Sequence, residues 1–179
     1  MSRPNRLAPL DVIVALRLTG PSGTYPALAD ELSVAPSQVH AAVRRLGISG
    51  LLRPGGRATN VRNLLEFLAT GVRYAFPAVR GPLGHGIPTA YSAPPLAIHL
   101  DAIDAVVWSA PLHPTAVQGF TVVPLHPSAP ALLTRSPRTY ELLTLVDALR
   151  LADPRAMAIA RAGLEERLLT RQDPRPPAA

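Results

Sequence analysis

The chain has 179 residues, 47% of them apolar, a net charge of +6 and no cysteine. This length and apolar content suffice to bury a core and exclude overall disorder, and the lack of cysteine excludes disulfides, thiolate metal sites and cysteine nucleophiles. Met1-Ser2-Arg3-Pro4 has no charged-then-apolar leader, and no apolar run approaches the ~20 residues of a membrane helix, so a soluble, cytoplasmic protein with no membrane partner is expected.

The charge is unevenly spread. Through residue 80 there are ten arginines (3, 6, 17, 44, 45, 53, 57, 62, 73, 80) against four acids (Asp11, Asp30, Glu31, Glu66), while the remainder balances eight arginines with eight acids. The whole excess therefore lies between Met1 and Arg80, and every basic residue is arginine rather than lysine. Such a footprint suits a surface that neutralises phosphates and releases counterions. A merely solvated face would look the same, so the motif has to decide.

A first helix is predicted from Ala8 to Leu18, where Leu10, Ile13, Val14 and Arg17 or Leu18 follow a helical period, with Gly20, Pro21 and Gly23 ending it. Next comes a short helix with Leu28, Ala29 and Leu32 on one face and Thr24 and Pro26 as start signals. Ser33-Val34-Ala35 makes a turn, with Val34 plugging the angle between helices. Pro36 opens another helix, whose core face is Val39, Val43 and Leu46 with Ala42 beside them, spaced i, i+4 and i+7.

Residues 24–46, with "ALADELSVAPSQVHAAVRRL" over 27–46, resemble the positioning and recognition helices of bacterial winged helix-turn-helix transcription regulators. The resemblance is strong over these residues and weak over about 65. It departs at Ser33, where such turns often carry glycine, and at Ala35, where a capping serine is more usual; the weaker cap costs about 1 kcal/mol of helix stability. The outward face of the second helix is Ser37, Gln38, His40, Ala41, Arg44 and Arg45. The resemblance implies that this helix enters the major groove by its N-terminal end. Glutamine can pair with adenine through two bonds and arginine with guanine, so Gln38, His40 and Arg44 or Arg45 are the candidates for base or phosphate contact, with Ser37 on phosphate.

Gly47 to Leu52 reads as the helix end and a short strand, and Arg53-Pro54-Gly55-Gly56-Arg57 as a tight turn flanked by arginines. At this distance behind a recognition helix the turn is expected to be a wing, with Arg53 and Arg57 on the backbone or minor groove. Asn60 then caps a helix through Val61, Leu64, Leu65 and Leu68, packed on this domain or on a second subunit.

From Gly71 to Thr134 prolines crowd in at ten positions, arginine is absent between Arg80 and Arg135, and only Asp101 and Asp104 are charged in that interval. A stretch so apolar should lie against the protein or a partner. Ala105–Trp108 and Val117–Val123 read as strands of a hairpin whose turn carries His113-Pro114. Gly81-Pro-Leu-Gly-His-Gly86 lacks the lysine and the Ser/Thr of a phosphate loop and reads as an irregular loop. Pro-Leu-His-Pro occurs twice, at 111–114 and 124–127, and reads as two similar turns rather than metal ligands, because no His-x3-His pair or acidic cluster accompanies it. His99 with Asp101 and Asp104 is the one polar cluster of this region and reads as structural. Serines 92, 109 and 128 lack a nucleophile-elbow setting, so neither catalytic residues nor a cofactor is expected.

At the C-terminal end, Thr139 is expected to cap a helix to about Ala152 with Leu142, Leu145, Val146 and Leu149 on one face. Asp153-Pro154 starts a second helix through Met157, Ala160, Leu164 and Leu168, antiparallel to the first. Together these give an α+β, mainly α chain. A winged helix-turn-helix DNA-binding domain (1–70) precedes a proline-rich apolar segment with short strands (71–134), a C-terminal helical hairpin for dimerisation or partner binding (135–171) and a flexible tail (172–179). The expected function is sequence-specific recognition of double-stranded DNA by a homodimeric transcription regulator. The alternative is an antitoxin-type protein that represses its own operon and covers a toxin with the apolar 71–134 region; a small-molecule effector near Tyr91 and Trp108 is a third reading.

Overall fold

A computed structural model describes residues 6–21, 23–100 and 104–170. The expected tail at 172–179 and Asp101 lie outside them. The protein is α+β and mainly helical, with eight α-helices and one three-stranded sheet among the described residues.

Helix α1 (Pro9–Arg17) starts on Pro9 as a first-turn proline, and the Asp11 carboxylate folds back to accept from the Ala8 N–H at 2.8 Å. Helix α2 (Tyr25–Glu31) is capped by Thr24, whose hydroxyl accepts from the Ala27 N–H. A short turn leads to α3 (Pro36–Ile48). Ser33 takes a left-handed φ of 54° in that turn, which is the conformation that makes glycine the common choice there. Leu28, Ala29 and Leu32 of this region pack against Val39, Ala42 and Leu46 of α3, all of them buried. Residues 51–60 then form a minimal hairpin: Leu52 bridges Thr59, the Arg53 N–H donates to the Ala58 carbonyl at 2.9 Å, and Gly55 turns the tip with φ 70°. Asn60 caps α4 (Val61–Thr70) through the Asn63 N–H, and α4 packs on the C-terminal helices described below. A single turn, α5 (Val72–Ala75), follows.

The sheet corrects two expectations. Residues 81–86 are not an irregular loop but lie within strand β1 (Arg80–Pro88). Strands β2 (Val106–Ser109) and β3 (Val117–Val122) do not form a hairpin with each other. Both pair antiparallel with β1 and parallel with one another, so each strand pairs with both others and the sheet closes into a ring. A three-stranded ring is too narrow to hold side chains, and this is why glycine is needed. A Cβ on Gly86 would sit 1.8 Å from the Trp108 carbonyl oxygen, and one on Gly119 2.7 Å from that of Ala105. Pro82 falls where the β1–β3 register shifts between Arg80 and Leu83, so its missing N–H breaks no ladder bond; its carbonyl accepts from the Thr121 hydroxyl.

The two Pro-Leu-His-Pro segments make equivalent turns. In each, the histidine Nδ1 accepts the N–H of the residue two positions on, Thr115 after His113 and Ser128 after His126, and also meets that residue's hydroxyl. Burial of His126 pushes its pKa below the ordinary value, in keeping with a neutral ring accepting at Nδ1.

After the short helix α6 (Leu132–Arg135), α7 (Pro137–Leu151) begins two residues before the expected cap at Thr139. Pro137 takes the first position, and Thr139 is buried in the first turn, sharing a hydrogen bond with Ser136. Helix α8 (Pro154–Leu169) is capped by Asp153, which accepts from the Arg155 and Ala156 N–H groups, and returns along α7. Every residue of α7 from Leu142 to Arg150 is buried, because α1, α5, α8 and the 3-10 turn Ala90–Ser92 surround it. It pairs with α8 and also forms the axis of the molecule, and one hydrophobic core runs from Leu10 to Leu168.

Asp147, fully buried in the middle of α7, fastens the sheet to this axis. Its carboxylate accepts from Trp108 Nε1 (2.6 Å), Thr89 Oγ1 (2.8 Å) and Arg150 Nη1, while Arg150 Nε donates to the Phe76 carbonyl at 2.8 Å. Burial pushes the Asp147 pKa up, opposed by the Arg150 charge and the three donors. Trp108 is itself fully buried, edge-on to Tyr140, and burial pushes the Tyr140 hydroxyl to about 12 while it donates to the Pro88 carbonyl.

Candidate nucleic-acid interface

The exposed side of α3 is set by what its inner side buries. Val39, Ala42 and Leu46 face α1 and α2, which leaves Ser37, Gln38, His40 and Arg44 exposed and Ala41 half-buried. These are five of the six α3 positions expected to face a nucleic acid.

Arg45 is the correction. It is turned inward to α1, where its Nε and Nη2 donate to the two Asp11 carboxylate oxygens at 2.8 and 2.6 Å. Asp11 is fully buried and the Arg45 side chain is 19% exposed, and hydrogen bonding to Asp11 raises the Arg45 pKa above its ordinary value. The pair locks α3 onto α1 in a fixed two-pronged geometry, and Arg45 is thereby withdrawn from the outer face.

Gln38 is exposed but occupied. Its Oε1 accepts the Ala35 N–H at 2.9 Å, half of a capping box that offsets the missing side-chain cap at Ala35. Two-bond pairing with adenine needs both the oxygen and the nitrogen of the amide, and here the oxygen is turned back to the helix start.

The hairpin tip joins this face through a residue that the sequence reading passed over. The Arg57 guanidinium lies over the Tyr25 ring, 4.9 Å from its centroid, and Nη1 donates to the Gly23 carbonyl at 3.3 Å. The Tyr25 ring in turn meets the His40 ring, with centroids 3.9 Å apart and planes tilted by 57°. Tyr25, His40, Ala41, Val43 and Arg44 line a shallow surface depression between α2 and α3. Arg53 is also exposed, at the base of the same hairpin.

The expected residues therefore divide. Ser37, His40, Ala41 and Arg44 share one face with Arg57 at its edge; Gln38 belongs to that face but serves the helix start; Arg45 is half-buried and paired with Asp11. Tyr25 and Asp11 were missed because the first had no role beside the start signals Thr24 and Pro26, and the second read as one acid among four. Neither carries a local sign of its partner, which lies 32 positions away for Arg57 and 34 for Arg45. Among the described residues no group of three or more His, Asp or Glu side chains could hold a metal ion, and no helix is long and apolar enough to cross a membrane. Compared with known protein families, with curated proteins and with solved structures, the chain matches none.

Proposed function

We propose that residues 9–60 form a winged helix-turn-helix that binds double-stranded DNA, and that the protein acts as a homodimeric transcription regulator. In this reading α3 enters the major groove with Ser37, His40, Ala41 and Arg44 toward the DNA, and the 51–60 hairpin is the wing, carrying Arg53 and Arg57 to the adjacent backbone. The observation that carries it is the Arg57–Tyr25–His40 contact, which holds an arginine-bearing hairpin tip against the exposed polar face of α3. The confinement of the net charge to the part of the chain ending at Arg80 supports it independently.

Fluorescence anisotropy of the full-length protein on a labelled duplex tests the reading. Binding is expected at low salt, weakening linearly on a logarithmic salt scale, with Arg44→Ala costing about tenfold and reducing the slope by about one. No binding at low salt, or an Arg44→Ala variant that binds as wild type does, removes the proposal.

A further inference from the structure

We infer that Tyr25 is a positioning residue for DNA binding, setting the place of the hairpin tip relative to α3 by stacking between Arg57 and His40. The inference rests on the DNA-binding reading above and adds to it a residue that would touch no DNA.

Three elements meet at Tyr25. It is the first residue of α2, half-buried, its ring against that of His40 on α3, with the guanidinium of the hairpin's Arg57 over it. The hairpin is short and its tip lies at the surface. Its ladder is the single Leu52–Thr59 bridge, and residues 53–58 are all exposed. Below the tip the hairpin is anchored firmly, since the buried Thr59 hydroxyl donates to the Ala15 carbonyl at 2.8 Å. The base is therefore fixed by the core, and the stack holds Arg57 at the tip. A guanidinium has five donors and Gly23 takes one, so Arg57 can remain over the ring and still donate to a phosphate. Held in this way, the phosphate-binding group is ordered before DNA arrives, and affinity gains by the ordering that binding no longer has to supply.

The test is a double-mutant cycle on the full-length chain, with a fluorescein-labelled random-sequence duplex as probe at low salt. Tyr25→Ala is expected to weaken binding about fivefold and Tyr25→Phe to bind within about twofold of wild type, because phenylalanine keeps the ring face that attracts the guanidinium. Tyr25→Leu, apolar without a ring, is expected to behave as Tyr25→Ala. Arg57→Ala is expected to weaken binding about tenfold, and the Tyr25→Ala/Arg57→Ala double variant to bind within about twofold of Arg57→Ala alone. Unchanged Trp108 emission in each variant checks that the fold is intact. Losses that multiply in the double variant, or a Tyr25→Leu variant that binds as wild type does, overturn this inference while leaving DNA binding in place. Absence of wild-type binding overturns the DNA-binding reading and this inference with it.

Discussion

Asp147 shows how much one side chain decides here. A carboxylate without solvent is costly unless its lone pairs and charge are answered, and Trp108, Thr89 and Arg150 answer them from β2, the residue after β1 and the next turn of α7. Removing the acid leaves Arg150, itself buried, as an unpaired charge. Asp147→Ala is expected to destabilise the protein by about 3–5 kcal/mol in urea titration and to alter Trp108 emission, because the indole N–H loses its acceptor. A variant within about 1 kcal/mol of wild type would show that the node is not what joins sheet to helix. The exposed residues of α3 follow the opposite logic. Ser37, His40 and Arg44 lie outside the core, which leaves them available for contact with a partner. Arg45, one position from Arg44, is committed to Asp11.

At the scale of elements, the helices obeyed their local chemistry and the sheet obeyed its own confinement. Pro9, Pro36, Pro137 and Pro154 each open a helix, and Thr24, Asn60 and Asp153 cap α2, α4 and α8 as their residue types lead one to expect. Gly81, Pro82, Gly84, Gly86 and Pro88 make up most of strand β1, a composition that locally reads as loop. It is a strand because β2 and β3 approach so closely that glycine alone fits, and because Pro82 sits in a bulge. Gly86→Ala is accordingly expected to cost about 3 kcal/mol, measured by chemical denaturation. Gly47→Ala, in α3 with nothing within 4 Å of the added carbon, is expected to be neutral or to stabilise by about 0.5–1 kcal/mol. Equal effects of the two substitutions would contradict the ring geometry.

For the whole molecule, the core is continuous. Residues of the N-terminal helices, the sheet and the C-terminal pair join one buried cluster around α7. Polar links reinforce it where α1 and α2 meet the start of α7: Arg17 pairs with Glu31, the Ser136 hydroxyl donates to Glu31, and Arg138 donates to the Thr19 hydroxyl. Unfolding followed by Trp108 emission and by helical circular dichroism is therefore expected to give coincident urea transitions. A helical signal that outlasts the tryptophan transition would show that the segment from α1 to α4 folds apart from the rest.

Periodicity, caps and turn residues determined by themselves the helices from α1 to α4, the hairpin at 53–57, the capped start of α8 and four of the residues that share the exposed face with Arg57. Those signals act within one or two turns of chain, so they can be read in order. Only the tertiary structure decided that Arg45 turns to Asp11, that Tyr25 lies between Arg57 and His40, that α7 is enclosed by its neighbours and that a glycine- and proline-rich stretch closes a ring of strands. Each of these depends on groups tens of residues apart in the chain, and burial and close approach, not local preference, select among conformations that the sequence alone leaves open.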